Sequence, residues 1–208
     1  MTFTRSEFDE VCKKFIQNRG HHTLDKGKLG WSWREHAYMP GFGYMERVTS
    51  LRRHRNATGI DVGMVPDNME ESSLESVDNA SAAATTLTGE VLCHQYVVLS
   101  PTFKVPTFYF SVHDFSGAPL TLTEVLQLPL FRRDAFEGAQ VTTFSVQQSS
   151  ASFPLLSFGD HPALNVHCWY LHPCGTSAAV EEILDNSCHL GWLEAWFTLL
   201  SSLLDLRG

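Results

Sequence analysis

The chain is short of the features that mark several protein classes. No two of its five cysteines (Cys12, Cys93, Cys168, Cys174 and Cys188) have the Cys-x-x-Cys spacing of a zinc or dithiol site, and their number is odd. A reducing compartment with mostly buried thiols is therefore expected. Net positive charge is missing: 15 Lys and Arg against 23 Asp and Glu leave a formal charge of −8, which argues against a general nucleic-acid binder. No apolar run is long enough for a membrane span. The most apolar stretch, 190–206, is short and is broken by Glu194, Ser201, Ser202 and Asp205. The residues after Met1 lead straight into a polar helix pattern rather than an apolar leader, so a cytoplasmic protein is expected. Without a secretory route, the sequons at Asn56 and Asn79 carry no meaning.

What is present suits one soluble domain over residues 1–208, with 43% hydrophobic and 18% charged residues. Residues 52–90 lack aromatics, are rich in Ser, Thr, Ala, Asn and Asp, and hold an acidic run from Asp67 to Glu71. Such a stretch buries too little apolar surface to offset its ordering entropy, so it reads as a flexible insertion. The cluster Arg52, Arg53, His54, Arg55 that opens it reads as solvated surface, with a docking patch for an acidic partner as the alternative.

Around that insertion the periodicities alternate. Phe8, Val11, Cys12, Phe15 and Ile16 form one face of a helix, opened by a Thr4–Glu7 capping box and stopped near Gly20. Two aromatic segments, 31–33 and 42–48, flank the Pro40-Gly41 turn and predict a hairpin. A second hairpin joins 91–99 to 105–112, with Pro106 at the start of its strand. Thr121 and Glu124 form another capping box, opening a short helix over 122–128. Strands are expected at 141–146 and 165–171, and 147–152 reads as loop. Helices follow from Ser177, with Glu181 and Glu182 placed early for the dipole, and over 189–204, with Leu193, Trp196, Leu200, Leu203 and Leu204 facing inward. Short links between successive strands make the sheet antiparallel. The fold class is α+β, with helices packed on one face and at both chain ends.

The chemistry gathers at His172-Pro173-Cys174. These residues follow a strand-like run and precede Gly175-Thr176-Ser177 and a helix start. A thiolate, not a thiol, attacks carbonyl carbon, and a cation or a helix N-terminus favours it. Cys174 would have both aids. Pro173 restricts its own φ and biases His172 towards extended geometry. His161, His167, His172 and His189 are all candidate bases, and sequence distance does not rank them. His172 reads equally as a scaffold histidine bonded to backbone. The other four cysteines read as core. A zinc site from His161, His167, Cys168, His172 and Cys174 is disfavoured, because alternation puts His167 and Cys168 on opposite faces.

Gly159-Asp160-His161-Pro162 and Trp169-Tyr170-Leu171-His172-Pro173-Cys174-Gly175-Thr176 resemble the catalytic region of the autophagy E2-like conjugating enzymes. The match is closer to the autophagy-related protein ten family. Trp31-Ser32-Trp33, Gly43-Tyr44-Met45, Val105 to Phe110, and Gly117 to Leu122 occur in that family's order. The resemblance implies an E2-like core. It implies that Cys174 accepts the C-terminal glycine of a ubiquitin-like modifier, autophagy-related protein twelve, as a thioester. The donor would be the E1-like autophagy-related protein seven and the acceptor a lysine of autophagy-related protein five. No metal or organic cofactor is implied. His172, Pro173, Gly175 and Thr176 would support the thiol. Cys174 stands where ubiquitin E2 enzymes have an asparagine that supports the oxyanion, so Gly175 and Thr176 N–H groups or Asn165 become candidate donors. The alternatives are the sister family, which conjugates a modifier to phosphatidylethanolamine, and a catalytically silent E2-like binding module. The sister usually has an amphipathic N-terminal membrane helix and a C-terminal extension. This chain opens on a mixed-charge helix and stops soon after Leu204, so a protein lysine is the expected acceptor.

Overall fold

The computed structural model describes residues 1–22, 30–36, 38–53, 89–148, 154–184 and 189–206. Most of the expected 52–90 insertion and Cys188 lie outside the described residues. The element order is α1 (Arg5–His22), β1 (Ser32–Arg34), β2 (Tyr44–Arg52), β3 (Glu90–Leu99), β4 (Pro106–His113), α2 (Leu122–Leu126), β5 (Ala139–Val141), β6 (Ser145–Gln148), β7 (Leu156–Asp160), β8 (His167–Leu171), a 3-10 turn (Pro173–Gly175), α3 (Thr176–Glu181) and α4 (His189–Leu203). The strands form one sheet in the order β1-β2-β3-β4-β8-β7-β6-β5, and every pairing is antiparallel. This is the expected α+β architecture, consistent with an E2-like core.

Alternation along the strands divides the sheet into two faces. Met45, Val97, Phe108, Phe110, Trp169 and Leu171 share the main core with Phe8, Phe15, Trp192, Leu193, Trp196 and Phe197 of the helices. Phe15 stacks on Phe197 with centroids 4.6 Å apart, a contact worth about 0.5–1.5 kcal/mol beyond its buried area. On the opposite face Tyr44, Tyr96, Val98, Tyr109, Ala163 and Cys168 form a smaller cluster, with Leu164 and Tyr170 packed against it.

Arg47 is 3% exposed on the helix side. Its Nε and Nη2 donate to Gln95 Oε1 at 3.0 and 2.6 Å, and Nη1 donates to the Leu206 carbonyl at 2.8 Å. Burial pushes its pKa down. The guanidinium thereby ties the segment after α4 to β2 and β3. Backbone bonds from Asp205 to Leu130 (2.8 Å) and from Arg132 to Leu203 (2.9 Å) hold the same segment to the β4–β5 connection.

Local signals hold up where one rule acts alone. Both capping boxes form: Thr4 N donates to Glu7 Oε2 at 2.8 Å and Thr121 N to Glu124 Oε2 at 2.9 Å. Both expected hairpins form, in the registers Trp33↔Met45 and Val98↔Thr107, and Pro106 takes the first position of β4.

Other expectations are corrected. α1 runs through Gly20 to His22. The strand expected at 141–146 is a hairpin, because Thr142 Oγ1 accepts from Ser145 N at 3.0 Å and turns the chain there. Gln147 and Gln148, read as loop, belong to β6. β7 was not expected, since Gly159 and Asp160 dilute its strand pattern. β8 starts at His167 rather than 165, because Asn165 has a left-handed φ of 53°. Glu181 is the last residue of α3 and Glu182 its C-cap, the less favourable end of the dipole for a carboxylate. Leu203 is half-buried, not fully inward.

At the insertion's ends, Arg52 pairs with Glu90 across β2 and β3 and their side chains form an ion pair at 2.9 Å. Arg53 pairs with Glu124 at 3.1 Å. Two of the basic residues expected as open surface thus have intramolecular carboxylate partners. His54 and Arg55 lie outside the described residues.

Candidate active site

β8 lies between β4 and β7 and delivers the chain to the site. Past its last residue the His172 N–H donates to the Leu155 carbonyl at 3.0 Å, extending the pairing by one bond. His172 is extended (φ −69°, ψ 127°), as its proline neighbour requires. Pro173, buried, opens the 3-10 turn, where its missing N–H costs nothing. Cys174 follows within that turn. It is exposed, whereas Cys12, Cys93 and Cys168 are buried. Burial pushes the Cys93 and Cys168 thiols up to about 12 and raises Cys12 as well. Among the described residues, Cys174 is the cysteine open to a macromolecular thioester.

His172 is the histidine beside it. Its Nδ1 accepts the Cys174 N–H at 3.4 Å, and its Nε2 stands 3.9 Å from Cys174 Sγ. Burial pushes the imidazole below its usual pKa, which favours the neutral ring. An Nδ1 that accepts leaves the neutral ring's proton on Nε2. That N–H can donate to the sulfur as negative charge develops there. In this tautomer His172 is a scaffold and a donor, not a base for the thiol. Phe103, from the β3–β4 turn, meets the ring edge-on at 6.0 Å, and Tyr170 lies 6.0 Å away on β8.

The other candidate bases are elsewhere. His161 is 2% exposed and lies among Tyr44, Tyr96 and Tyr109, with centroids 4.8–5.4 Å away. Burial pushes it down to about 4. His167 pairs with Asp160 at 2.7 Å on the surface. His189 packs on Phe3 at 4.8 Å. Asn165 precedes β8 while Cys174 follows it, so the strand separates them and removes Asn165 as an oxyanion donor. Thr176 N–H already donates to the Pro173 carbonyl. No group of three or more His, Cys, Asp or Glu residues suited to a metal occurs among the described residues.

Sequence reasoning missed Phe103, Tyr170 and the Leu155 carbonyl. Gly159 did carry a signal, since a glycine inside a strand marks close approach by a neighbour. A Cβ there would meet Tyr170 Cε1 at 3.1 Å. A cleft of about 690 Å³ is lined in part by the β3–β4 turn, with Phe3, Arg5, Phe42, Lys104 and Pro162 among its lining residues. Cys174 does not line it.

An antiparallel sheet backed by helices, ending in an exposed cysteine on a His-Pro-Cys turn, defines an E2-like conjugating enzyme. Residues 7–207 match the family described as autophagocytosis-associated protein, active-site domain, and the chain belongs to that family. It is similar to the ubiquitin-like-conjugating enzyme ATG10 of Homo sapiens, 24% identical over 210 residues, covering 96% of this chain and 87% of the relative. The ATG10 enzyme of Arabidopsis thaliana is 26% identical over 67% of this chain and 62% of its own length. That of Schizosaccharomyces pombe is 25% identical over 55% of this chain and 56% of its own length.

Proposed function

We propose that Cys174 carries autophagy-related protein twelve as a thioester and passes it to a lysine of autophagy-related protein five, in the cytoplasm, during autophagosome formation. The observation that carries this reading is the exposed Cys174 beside His172, in the family's active-site region. The Cys174 thiolate attacks the thioester carbonyl of the modifier held by the E1-like autophagy-related protein seven, and the E1 cysteine leaves as a thiolate. An acceptor lysine amine then attacks the new thioester. The C–S bond to Cys174 breaks, the sulfur leaves as a thiolate, and the amine loses its proton to solvent.

Each tetrahedral intermediate needs a donor for its oxyanion, a role worth about 3–4 kcal/mol in acyl transfer. With Asn165 removed by distance and Thr176 N–H engaged, the Gly175 N–H is the remaining backbone group of the set. Pro173 fixes the turn that presents it. The chain 1–208 acts as one domain, with 52–90 as an insertion between β2 and β3.

Charging with purified modifier, E1-like enzyme and ATP tests the reading. Wild type gives a reductant-sensitive adduct on a non-reducing gel, Cys174→Ser a reductant-stable oxyester, and Cys174→Ala none. Adduct formation by Cys174→Ala at the normal rate overturns the assignment. Transfer to liposomal phosphatidylethanolamine in preference to the protein acceptor overturns the choice of acceptor.

A further inference from the structure

The β3–β4 turn touches both the surroundings of the thiol and the cleft. Phe103 contacts the His172 ring, and Pro101 and Lys104 of the same turn line the cleft. A concavity of about 690 Å³ thus stands one hairpin turn from Cys174, and no step at the sulfur uses it. Its lining is mostly apolar, and its two ionisable residues, Arg5 and Lys104, are both cations. That local excess runs against a formal chain charge of −8. Arg5 is already engaged: its Nε lies 3.0 Å from Asp9 Oδ1, its Nη2 donates to the Gly43 carbonyl, and its guanidinium lies 5.6 Å from the Phe42 ring. Lys104 has no carboxylate partner among the described residues. Its φ is 55°, in the left-handed region that glycine enters at lower cost. The Lys104 N–H donates to the Ser100 carbonyl at 3.0 Å, and the Lys104 carbonyl accepts from Phe3 N–H at 2.7 Å. An ammonium is therefore carried where the backbone favours glycine, and such departures cluster at ligand-contacting sites.

The connection between β1 and β2 adds Tyr38, Met39 and Phe42, which are 89%, 42% and 50% exposed. Phe42 also lines the cleft, so the loop joins exposed apolar surface to the concavity. Apolar surface of this kind with a charged rim marks a protein contact. We infer that the cleft docks the acceptor protein, taking an apolar side chain between Phe3, Phe42 and Pro162 and a carboxylate on Lys104. The inference rests on the reading of Cys174 as a carrier that passes its modifier to a protein lysine. The thioester tethers the modifier to Cys174, and a tether replaces much of the need for other contacts. The acceptor has no tether, and its reacting amine is a group that most protein surfaces carry. Contacts away from the thiol must therefore select it, and a docked segment raises the local concentration of the amine at the thioester.

Three measurements test it: calorimetric binding of the purified acceptor to the uncharged protein, charging by the E1-bound modifier, and discharge of the preformed thioester at rising acceptor concentration. Calorimetry needs no thioester and so reports on the cleft even if the carrier reading fails. That failure shows instead as adduct on Cys174→Ala. Lys104→Glu is expected to weaken acceptor binding about tenfold or more and to raise the half-saturating acceptor concentration in discharge by the same factor, with charging within about twofold of wild type. Phe42→Ala weakens binding about three- to tenfold, as loss of an aromatic contact implies. Lys104→Arg keeps the charge and stays within about threefold. Lys104→Gly relieves the backbone, so it keeps or raises the thermal midpoint while weakening binding about three- to tenfold. Thermal melts establish that each variant is folded at the assay temperature. If Phe42→Ala does not fold, Lys104→Glu and Lys104→Gly carry the test. The inference is overturned if wild type does not bind the acceptor or if folded Lys104→Glu or Phe42→Ala keeps wild-type affinity. It is also overturned if these variants slow charging as much as discharge, which would give the cleft to the E1-like enzyme.

Discussion

Two histidine–proline turns flank β8, and they use one local device for different ends. At His161-Pro162 the imidazole Nδ1 accepts the N–H groups of Ala163 and Leu164, both at 3.1 Å. At His172-Pro173 the Nδ1 accepts the N–H of Cys174 at 3.4 Å. Each histidine must be unprotonated at Nδ1 to hold its turn. The first ring is sealed among three tyrosines and has no hydrogen-bond partner for Nε2 among the described residues. The second is partly open, and its Nε2 faces a thiol. The dipeptides are the same, so burial and the next residue separate a sealed pin from a turn that presents an exposed thiol.

The largest effect that would break this contrast comes from the two cysteines of the β8 segment. Cys174→Ala should abolish the thioester adduct. Cys168→Ala, four residues before His172 and buried, should leave charging within about twofold while costing roughly 1 kcal/mol or more of stability, the price of a small cavity. Equal losses of charging would erase the distinction between the two sites.

Exchanging the histidines comes next. His161→Ala removes a buried ring and strands two backbone N–H groups, so a loss of about 2–4 kcal/mol is expected in urea melts. Charging by the folded fraction should be near normal. His172→Ala should cost little stability and slow charging about tenfold, the loss of one hydrogen bond at the reacting sulfur. A reversed pattern would assign the chemistry to the wrong turn.

Acid sharpens the same contrast. His161 is held down to about 4 in the fold, whereas an unfolded histidine titrates at about 6.5. Between those values the unfolded chain binds the extra proton. His161 therefore leaves stability intact above about pH 6.5 and erodes it as pH falls towards 4, with a slope approaching 1.4 kcal/mol per unit. Denaturant titrations at pH 7 and pH 5 should show this loss in wild type and a smaller one in His161→Gln. An unchanged pH dependence in the variant would mean that the buried ring is not the titrating group. The smallest effect is expected away from both turns. Deleting Asp61 to Thr85 should shift the thermal midpoint only slightly and leave charging intact, because closure entropy depends weakly on loop length. A collapsed thermal transition would make that segment part of the core.

What could be read from the chain divides along the same line. The Thr4–Glu7 and Thr121–Glu124 boxes, the β3–β4 hairpin and the inner stripe of α4 depend on residues a few positions apart, and they were legible. The 139–148 hairpin and β7 were not, because each is short and depends on a neighbouring strand: β6 pairs with β7, and β7 with β8. The candidate site was legible at His172-Pro173-Cys174 and in the family pattern around it. Its walls were not: Phe103 arrives from a turn 69 residues upstream of His172, and the Leu155 carbonyl from the adjoining strand.

By itself the sequence determined the α+β class, the family and the one cysteine with chemical company, because period, capping and motif are local and additive. Tertiary structure alone decided which histidine attends that cysteine, which tautomer it holds, that Asn165 stands beyond the far end of β8, and that Tyr170 and Phe103 flank the imidazole. Those outcomes depend on which strands pair and which face is covered, and strand pairing is a property of the whole sheet that no single segment encodes.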